Sequence, residues 1–282
     1  MRKERFSMAE AKNDYFAGRL ENPHTNANYN RELRKFFEWC GGERVPTQEL
    51  AERYIDHLRE RGYAPRTLRV AASALKKYAA MHGVSLLITN IPKVQMSMPK
   101  VLSEDEIKRL IEGIPYVEDK AMVALLYDCG LRVSELVNLD VDDVDLESRT
   151  ITVRSRKGGT PQVLPFGKKT KGFLEKWLEI RESEGLTKEK VPALFIGRVG
   201  RFGKATRITV QTVARRLKHY GRVILGRDDV HPHLIRHSRA VHLRSRGVPL
   251  EDIKDFLGHA SLQTTFIYAR MEPGRLKSIP ML

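Results

Sequence analysis

Cysteine is scarce in this chain, and its spacing limits what the fold can contain. Among 282 residues there are only two cysteines, Cys40 and Cys129, and they form no CxxC pair. The sequence therefore offers no zinc ribbon or zinc finger. We expect both thiols to be reduced and packed, as is usual in a cytoplasmic protein.

Long apolar segments are also missing. No apolar run approaches the ~20 residues that a helix needs to span a membrane. The N-terminal Met-Arg-Lys-Glu-Arg is charged and no apolar segment follows it, so no secretory signal peptide is indicated. These absences predict a cytoplasmic protein with no membrane partner.

Acidic residues are outnumbered by basic ones. The 35 Asp and Glu stand against 50 Lys and Arg, which gives a net charge of +15 and a pI of about 9.9. Such an excess predicts a polyanionic partner, because lysine and arginine release counterions from a charged backbone. Nucleic acid is the leading interpretation, and a very soluble basic protein or a ribosome-associated protein are the alternatives.

The chain is long enough for two domains. We predict a helical domain over residues 1–84, a linker over 85–100, a second domain over 101–270 and a tail over 271–282. Two prolines, Pro92 and Pro99, and a loss of periodicity indicate the linker. The second domain begins with the capping box Ser103-x-x-Glu106.

Helical spacing predicts three helices in the first domain. Gly41-Gly42 stops the first, Thr47 caps the second, which ends at Gly62, and the third runs from Thr67 to Gly83. Basic residues on the third helix form either a solvated surface or a face that contacts phosphates. They are Arg66, Arg69, Lys76 and Lys77.

The second domain is predicted to be helical with one β-hairpin. Residues 150–154 alternate, Lys157-Gly158-Gly159-Thr160 makes a turn, and residues 162–166 return. Between later helices lies a glycine-rich basic loop, which is either plain surface or suited to tracking a phosphate backbone. Its cations are Arg198, Arg201, Lys204 and Arg207. The predicted helices span 122–127, 171–182, 210–220, 233–246, 250–257 and 262–270.

His233 and Arg236 lie three residues apart on a predicted helix and therefore share a face. An arginine fork binds two phosphate oxygens at once, and an imidazole exchanges a proton near neutral pH. The spacing alone is common by chance. A zinc or nickel site of His231, His233 and His237 is a rival interpretation, but no carboxylate or cysteine joins them nearby, so we expect no metal.

Arg132 lies in the break between a helix that ends at Gly130 and one that begins near Ser134. Either it forms an ordinary structural pair with Glu135, or Glu135 orients the local structure while Arg132 faces a phosphate. Lys157, before two glycines, is either a plain turn lysine or a mobile ammonium that protonates a leaving oxygen.

Tyr268 lies nine positions after His259, which follows a predicted helix end. Taken alone, Tyr268 reads as a core or half-buried aromatic. Its phenol titrates near ~10, so it attacks only with help from a base or from cations that favour phenolate. The set that suits metal-free attack on a phosphodiester, with this phenol as the nucleophile, is Arg132, Lys157, His233, Arg236, His259 and Tyr268.

Five segments in order resemble the tyrosine recombinase, or phage integrase, family. They are Gly-Leu-Arg-Val-Ser-Glu-Leu at 130–136, the hairpin lysine, His-Pro-His-Leu-Ile-Arg-His at 231–237, Leu-Gly-His-Ala-Ser-Leu-Gln-Thr-Thr at 257–265, and the tyrosine after it. The resemblance implies a mainly α fold with a small β-sheet, arranged as a two-domain C-shaped clamp. Residues 1–84 would be the helical, SAM-like core-binding domain and residues 101–270 the α+β catalytic domain.

The resemblance also implies how DNA is cut. Tyr268 would form a 3′-phosphotyrosyl link, Lys157 would act as general acid to the 5′-oxygen, and His233 would assist proton transfer at the tyrosine. The covalent ester conserves the bond energy, so a 5′-hydroxyl from another strand reseals it without ATP.

The remaining residues of the set would stabilise charge. Arg132 and Arg236 would clamp the scissile phosphate, and His259 would donate to a non-bridging oxygen. Preorganised cations offset the charge that gathers on phosphorus, so no cofactor and no metal are expected.

Within the family, the short chain without an added arm-binding domain looks like the Xer group. These enzymes resolve chromosome dimers at a short site through a Holliday junction. We therefore expect double-stranded DNA as partner, a homotetramer on DNA, a monomer or dimer when free, and a cytoplasmic, nucleoid-associated location. An archaeal-type Xer recombinase that acts without a second recombinase is the most specific expectation.

Two departures from the Xer pattern keep alternatives open. Ser-Arg-Ala-Val-His at 238–242 stands where Xer proteins more often show an aromatic and a threonine, so a virus or plasmid integrase is nearly as well supported. Only residues 269–282 follow the tyrosine, and they either exchange between protomers or form an unstructured tail. The further alternatives are a type IB topoisomerase and a non-catalytic basic DNA-binding regulator. The candidate anchors of a tail exchange are Ile279, Met281 and Leu282.

Overall fold

Helices account for most of the regular structure, and they fall into two units. The computed structural model describes residues 14–16, 20, 23–92, 100–154, 161–197 and 205–258. The chain divides into Met1–Ser97 and Met98–Leu282. No helix in these ranges is long and apolar enough to cross a membrane. The prediction of a mainly α chain with a small β-sheet is confirmed.

The first unit contains three helices, α1 (Pro23–Cys40), α2 (Gln48–Glu60) and α3 (Pro65–Met81). Thr47 caps α2 as predicted, because its side chain accepts a hydrogen bond from the Leu50 backbone N–H. The third helix begins two residues before the predicted Thr67, since a proline is well suited to the first position of a helix.

The core of the first unit continues beyond its last helix. Leu86 and Ile88 are buried against the same apolar cluster as Phe36 and Leu75. In addition, the Gln48 side chain exchanges hydrogen bonds with the Leu87 backbone. The folded first unit therefore extends past residue 84, into the segment that the sequence predicted as linker. The other predicted domain boundaries stay predictions.

The second unit is built around one helix that is apolar on nearly every side. This helix, α5 (Val117–Asp128), has six consecutive residues, 121–126, that are all buried and apolar or alanine, and it packs against α7 (Lys168–Ser183) and α9 (Pro232–Ser245). A helix with this pattern belongs in the interior of a domain. Ser103 and Glu106 form the predicted capping box of α4. The helices are α4 (Glu104–Gly113), α5 (Val117–Asp128), α6 (Val133–Val137), α7 (Lys168–Ser183), α8 (Val210–Leu225), α9 (Pro232–Ser245) and α10 (Leu250–Leu257).

The predicted hairpin is confirmed as β2 (Thr150–Val153) and β3 (Gln162–Pro165), and β1 (Val144–Asp145) pairs with β2 to complete a three-stranded antiparallel sheet in the order β1, β2, β3. Val153 is paired with Gln162 at the open end. The first strand was not predicted, because two residues are too few to show an alternating pattern.

A second antiparallel pair, β4 (Ile196–Gly197) and β5 (Thr206–Arg207), was also missed for the same reason. The segment interpreted as a basic loop is therefore flanked by two paired strands. Arg207 lies in β5 rather than in the loop.

Candidate active site

Two helix ends meet at the start of α6. Gly130 has φ +57°, and a Cβ built there would lie 2.7 Å from Leu257 Cδ2 of α10. Only glycine combines this left-handed backbone with so close an approach. The chain then turns into α6 with Arg132 as its N-cap residue. Gly130 thus allows the end of α10 to pack closely against the turn that leads into Arg132.

A single buried carboxylate holds Arg132. Glu135 Oε2 accepts from the Arg132 backbone N–H at 2.8 Å, and Glu135 Oε1 accepts from Arg132 Nη1 at 2.6 Å. The same carboxylate faces Arg236, whose Nη1 lies 3.7 Å from Glu135 Oε2. The sequence suggested that Glu135 either pairs with Arg132 or orients the local structure, but it did not indicate that the same carboxylate faces a second arginine.

Backbone carbonyls fix both guanidiniums. Arg236 donates to Gly130 O at 2.6 Å and to Leu257 O at 2.5 Å. Arg132 donates through Nη2 to Gly258 O at 2.8 Å. Leu257 and Gly258 end α10, where helix carbonyls lack partners within the helix. The end of α10 therefore receives one arginine from α9 and one from the start of α6.

The result is a fixed pair of planar cations with one shared anion. Arg236 is 4% exposed, whereas the side chain of Arg132 is 27% exposed. Two guanidiniums and one carboxylate leave one positive charge in excess. Because Arg forks match phosphate geometry, this pair is suited to an anion such as a phosphodiester.

His233 occupies the first turn of α9, beside this pair. Its pKa is lowered by desolvation and by the charges of Arg236, His231 and Arg132. His233 is exposed to solvent, and the positive charges beside it disfavour a further positive charge on the ring. The imidazole is therefore neutral near pH 7, and a neutral imidazole can accept a proton.

His231, His233 and His237 were the rival interpretation as metal ligands. Burial and the neighbouring His233, Arg236 and His231 lower the pKa of His237. Within the ranges given above, no group of three His, Cys, Asp or Glu side chains is placed to hold a metal ion.

The residues on either side of the hairpin connection are anchored to other elements of the second unit. Gln162, which begins β3, donates from Nε2 to Asp255 O of α10 at 3.0 Å. Arg154, which follows β2, contacts the buried Asp143 at 2.6 Å. Arg154 and Gln162, described residues on the two sides of the segment that contains Lys157, are thus both anchored.

The residues predicted to contact DNA differ in their surroundings. Arg66, Arg69 and Lys77 are exposed on α3 and Lys76 is half-buried, as either a solvated or a DNA-contacting face requires. Arg207 instead donates to Val137 O, Leu139 O and Asp140 Oδ1. These internal acceptors give Arg207 a structural role, which the sequence pattern did not reveal.

Half of the predicted catalytic set falls outside the described residues. Arg132 and Arg236 come together around Glu135 and the end of α10, and His233 lies close enough for their charges to lower its pKa. The predicted residues that lie outside the described ranges are Lys157, Arg198, Arg201, Lys204, His259 and Tyr268, together with the helix 262–270 and the tail 271–282.

The chain matches known families over most of its length. The profile described as "Phage integrase family" matches residues 100–275, and the one described as "Phage integrase, N-terminal SAM-like domain" matches residues 14–81. The first of these covers more than half of the chain and includes all six candidate catalytic positions.

Relatives confirm the assignment. The tyrosine recombinase XerA of Pyrococcus horikoshii is 36% identical over 251 residues, which cover 88% of this chain and 84% of that protein. The tyrosine recombinase XerC of Pseudomonas putida is 32% identical over 274 residues, which cover 91% of this chain and 88% of that protein.

Solved structures share the fold. A crystal structure of XerA recombinase has a TM-score of 0.56 at 28% identity, with 93% of each chain covered. XerH bound to its difH substrate has a TM-score of 0.69 at 22% identity, with 89% of this chain and 77% of that chain covered. The chain therefore belongs to the phage integrase family, whose members act on DNA. Within that family it is a Xer-type tyrosine recombinase, an enzyme that transfers DNA strands.

Glu135→Gln tests whether the shared carboxylate positions both arginines. The amide keeps the shape but removes the charge, so we expect DNA cleavage to fall roughly 10- to 100-fold, as small misplacements of catalytic groups cause. Single-turnover cleavage of a DNA site with saturating enzyme measures this loss.

Glu118→Gln is the matched control. Glu118 also accepts from a backbone N–H, that of Ile196, and from an arginine, Arg216, in the same unit. It should lower the thermal midpoint without a comparable loss of cleavage. Equal cleavage losses in the two variants would show that Glu135 acts only through stability.

Proposed function

We propose that this chain resolves chromosome dimers by cutting and rejoining DNA at a short site through a Holliday junction. The observation that carries the proposal is the pair of guanidiniums of Arg132 and Arg236, held by Glu135 and by the carbonyls at the end of α10. Fixed cations stabilise a pentavalent phosphorane without reorganising during the reaction.

In this proposal Tyr268 supplies the nucleophile. Its oxygen bonds to phosphorus while the bond from phosphorus to the 5′-oxygen breaks, which leaves a 3′-phosphotyrosyl ester and a free 5′-hydroxyl. His233 accepts the phenolic proton and Lys157 gives one to the leaving oxygen. Attack by the 5′-hydroxyl of a partner strand reverses these transfers, so no external energy source is needed.

Charge stabilisation falls to the remaining residues. Arg132 and Arg236 bind the non-bridging oxygens, and His259 donates to one of them. The basic residues of α3 and of the connection between β4 and β5, with a net charge of +15 over the chain, hold the duplex through its phosphates.

The assembly proposed is a homotetramer on double-stranded DNA, with a monomer or dimer when free, near the nucleoid of the cytoplasm. Four protomers supply the four strand cuts that two duplexes need. Similarity to XerA along most of its length supports dimer resolution over integration of a mobile element.

The direction of the His233 pKa shift predicts how activity depends on pH. Because the pKa is lowered, the neutral acceptor form is present at pH 7. Protonation of His233 therefore removes activity only when the pH falls below the ordinary histidine pKa of about 6.5. Single-turnover cleavage should show this acidic limb, and His233→Gln should abolish it. A loss of cleavage activity centred above pH 6.5 would contradict the assignment of His233 as proton acceptor.

A deletion assay tests the proposed function. Genomic fragments that the protein retains are sequenced, and the enriched site is cloned as two direct repeats in a supercoiled plasmid. We expect two circles of the sizes set by the repeats, and a tetramer on the site by mass photometry. Efficient relaxation of a plasmid without the site would indicate a type IB topoisomerase. Binding without any strand cutting would indicate a regulator.

A further inference from the structure

Arg239 on α9 lies between two aromatic rings from different helices. Its Cζ is 5.1 Å from the ring centroid of Tyr127 on α5 and 6.0 Å from that of Phe256 on α10. It stands in the Ser-Arg-Ala-Val-His segment, where the sequence departs from the aromatic more usual in Xer proteins. The departure places a guanidinium at the junction of three helices.

The two rings differ in how firmly they are held. Tyr127 is fixed, because its Oη and Nδ1 of the buried His242 are 2.9 Å apart. By contrast, α10 has eight residues and only two of them, Ile253 and Leu257, are fully buried, in a small cluster. The partly buried Phe256 is the α10 residue that also packs against the main core. A short helix with so little buried apolar surface depends on contacts at its ends and faces.

Phe256 immediately precedes the two carbonyls that receive the site arginines. Leu257 O accepts from Arg236 and Gly258 O accepts from Arg132. A shift of α10 at Phe256 therefore moves both acceptors at once. Arg239 Nε is buried without a hydrogen-bond partner among the described groups, while the guanidinium is hydrogen-bonded to the Tyr127 side chain. Toward α10, the contact of the guanidinium is with the ring of Phe256.

We propose that Arg239 is a positioning residue that stacks between Tyr127 and Phe256 and thereby holds the end of α10 where it orients Arg132 and Arg236. Arginine performs the packing role of an aromatic here, because its planar guanidinium stacks on aromatic faces. This inference rests on the proposed function of the two arginines as the phosphate clamp.

The test compares three variants at this position in the full chain, on a suicide substrate that traps the cleaved strand. Arg239→Ala removes the stack, and cleavage should fall about 10-fold while the Kd for the site stays within about threefold. Arg239→Phe restores a planar ring, and its cleavage should recover to within about threefold of the parent. The amide of Arg239→Gln is polar but stacks less well on an aromatic ring, so its cleavage rate should resemble that of Arg239→Ala.

Arg246→Ala is the matched control, because it removes the same charge from the end of α9 at an exposed position paired with Glu104.

A second substrate separates positioning from other structural effects. A methylphosphonate at the scissile position is neutral, so it needs less help from the clamp. The deficit of Arg239→Ala relative to the parent should shrink on it to less than about threefold, in line with the weaker demand for charge stabilisation. Circular dichroism thermal scans show whether each variant is folded at the assay temperature.

The outcomes are distinct. Three results would overturn the inference. The first is cleavage by Arg239→Phe as low as that of Arg239→Ala, and the second is an Arg239→Ala deficit that is unchanged on the methylphosphonate. The third is a Kd that rises in both variants, which would indicate that Arg239 contacts DNA directly. Arg132→Ala is tested beside them. If its deficit does not shrink on the neutral substrate, the clamp proposal fails, whereas the Ala-to-Phe comparison still decides the role of Arg239.

Discussion

Replacing Arg236 with lysine should lower single-turnover DNA cleavage on the order of 10²-fold, and replacing it with alanine should cost about 10²- to 10³-fold. The lysine variant keeps the charge but cannot reach Gly130 O, Leu257 O and a phosphate with one planar fork. The loss is therefore expected in the cleavage step, with the Kd for DNA little changed, and rapid-quench measurements at saturating enzyme give the rate.

Arg181→Lys is the control for burial. Arg181 is 2% exposed and lies in the same unit, where its described hydrogen bond, at 2.6 Å, is to Val191 O and not to a described residue of the candidate site. Each lysine variant is expected to unfold at a lower temperature, because burying an ammonium without full pairing is costly. Only Arg236→Lys should lose cleavage at a temperature where both are folded. Parent-level cleavage by Arg236→Lys would contradict the clamp.

Capping residues in the sequence predicted where α2 and α4 begin, whereas α5 begins five residues before the predicted Met122 and α7 three residues before the predicted Lys171. Thr47 and Ser103 cap their helices through hydrogen bonds to residues three positions ahead. Such bonds depend only on the neighbouring chain, so the pattern of residue types suffices to predict them. The hairpin of β2 and β3 was predictable for the same reason.

The internal partners of the arginines could not be predicted from the sequence. Arg236 bonds to a carbonyl 106 positions away and to another 21 positions away. Any residue carries a carbonyl, so the sequence gives no sign of which one is used. Gly130 and Gly258 were the nearest available clues, because both adopt positive φ at helix ends.

Arg207 shows that a basic residue in a sequence does not by itself indicate a contact with a phosphate. In the sequence it completes a basic, glycine-rich stretch and suggests a phosphate contact. In the fold its guanidinium donates to the carbonyl of Val137, the last residue of α6, to the carbonyl of Leu139, and to the carboxylate of Asp140. Whether a surface cation faces solvent or the protein depends on tertiary packing, which a list of residue types does not contain.

The second large effect is expected at Tyr268. Replacing it with phenylalanine removes only the hydroxyl, so DNA binding and folding should be preserved. The covalent bond cannot form without that oxygen, and cleavage should fall by more than about 10³-fold, as losses of nucleophiles do. Tyr116→Phe is the matched control, because Tyr116 is an exposed tyrosine of the second unit, 65% open to solvent.

The most direct measurement is the yield of protein–DNA adduct on a nicked suicide duplex, resolved on a denaturing gel. The parent protein and Tyr116→Phe should both form the adduct, and a protease should reduce it to a labelled peptide that contains residue 268. Tyr268→Phe should bind the duplex with the parent Kd and form no adduct. An adduct of normal yield with Tyr268→Phe would contradict the assignment of the nucleophile and with it the proposed mechanism.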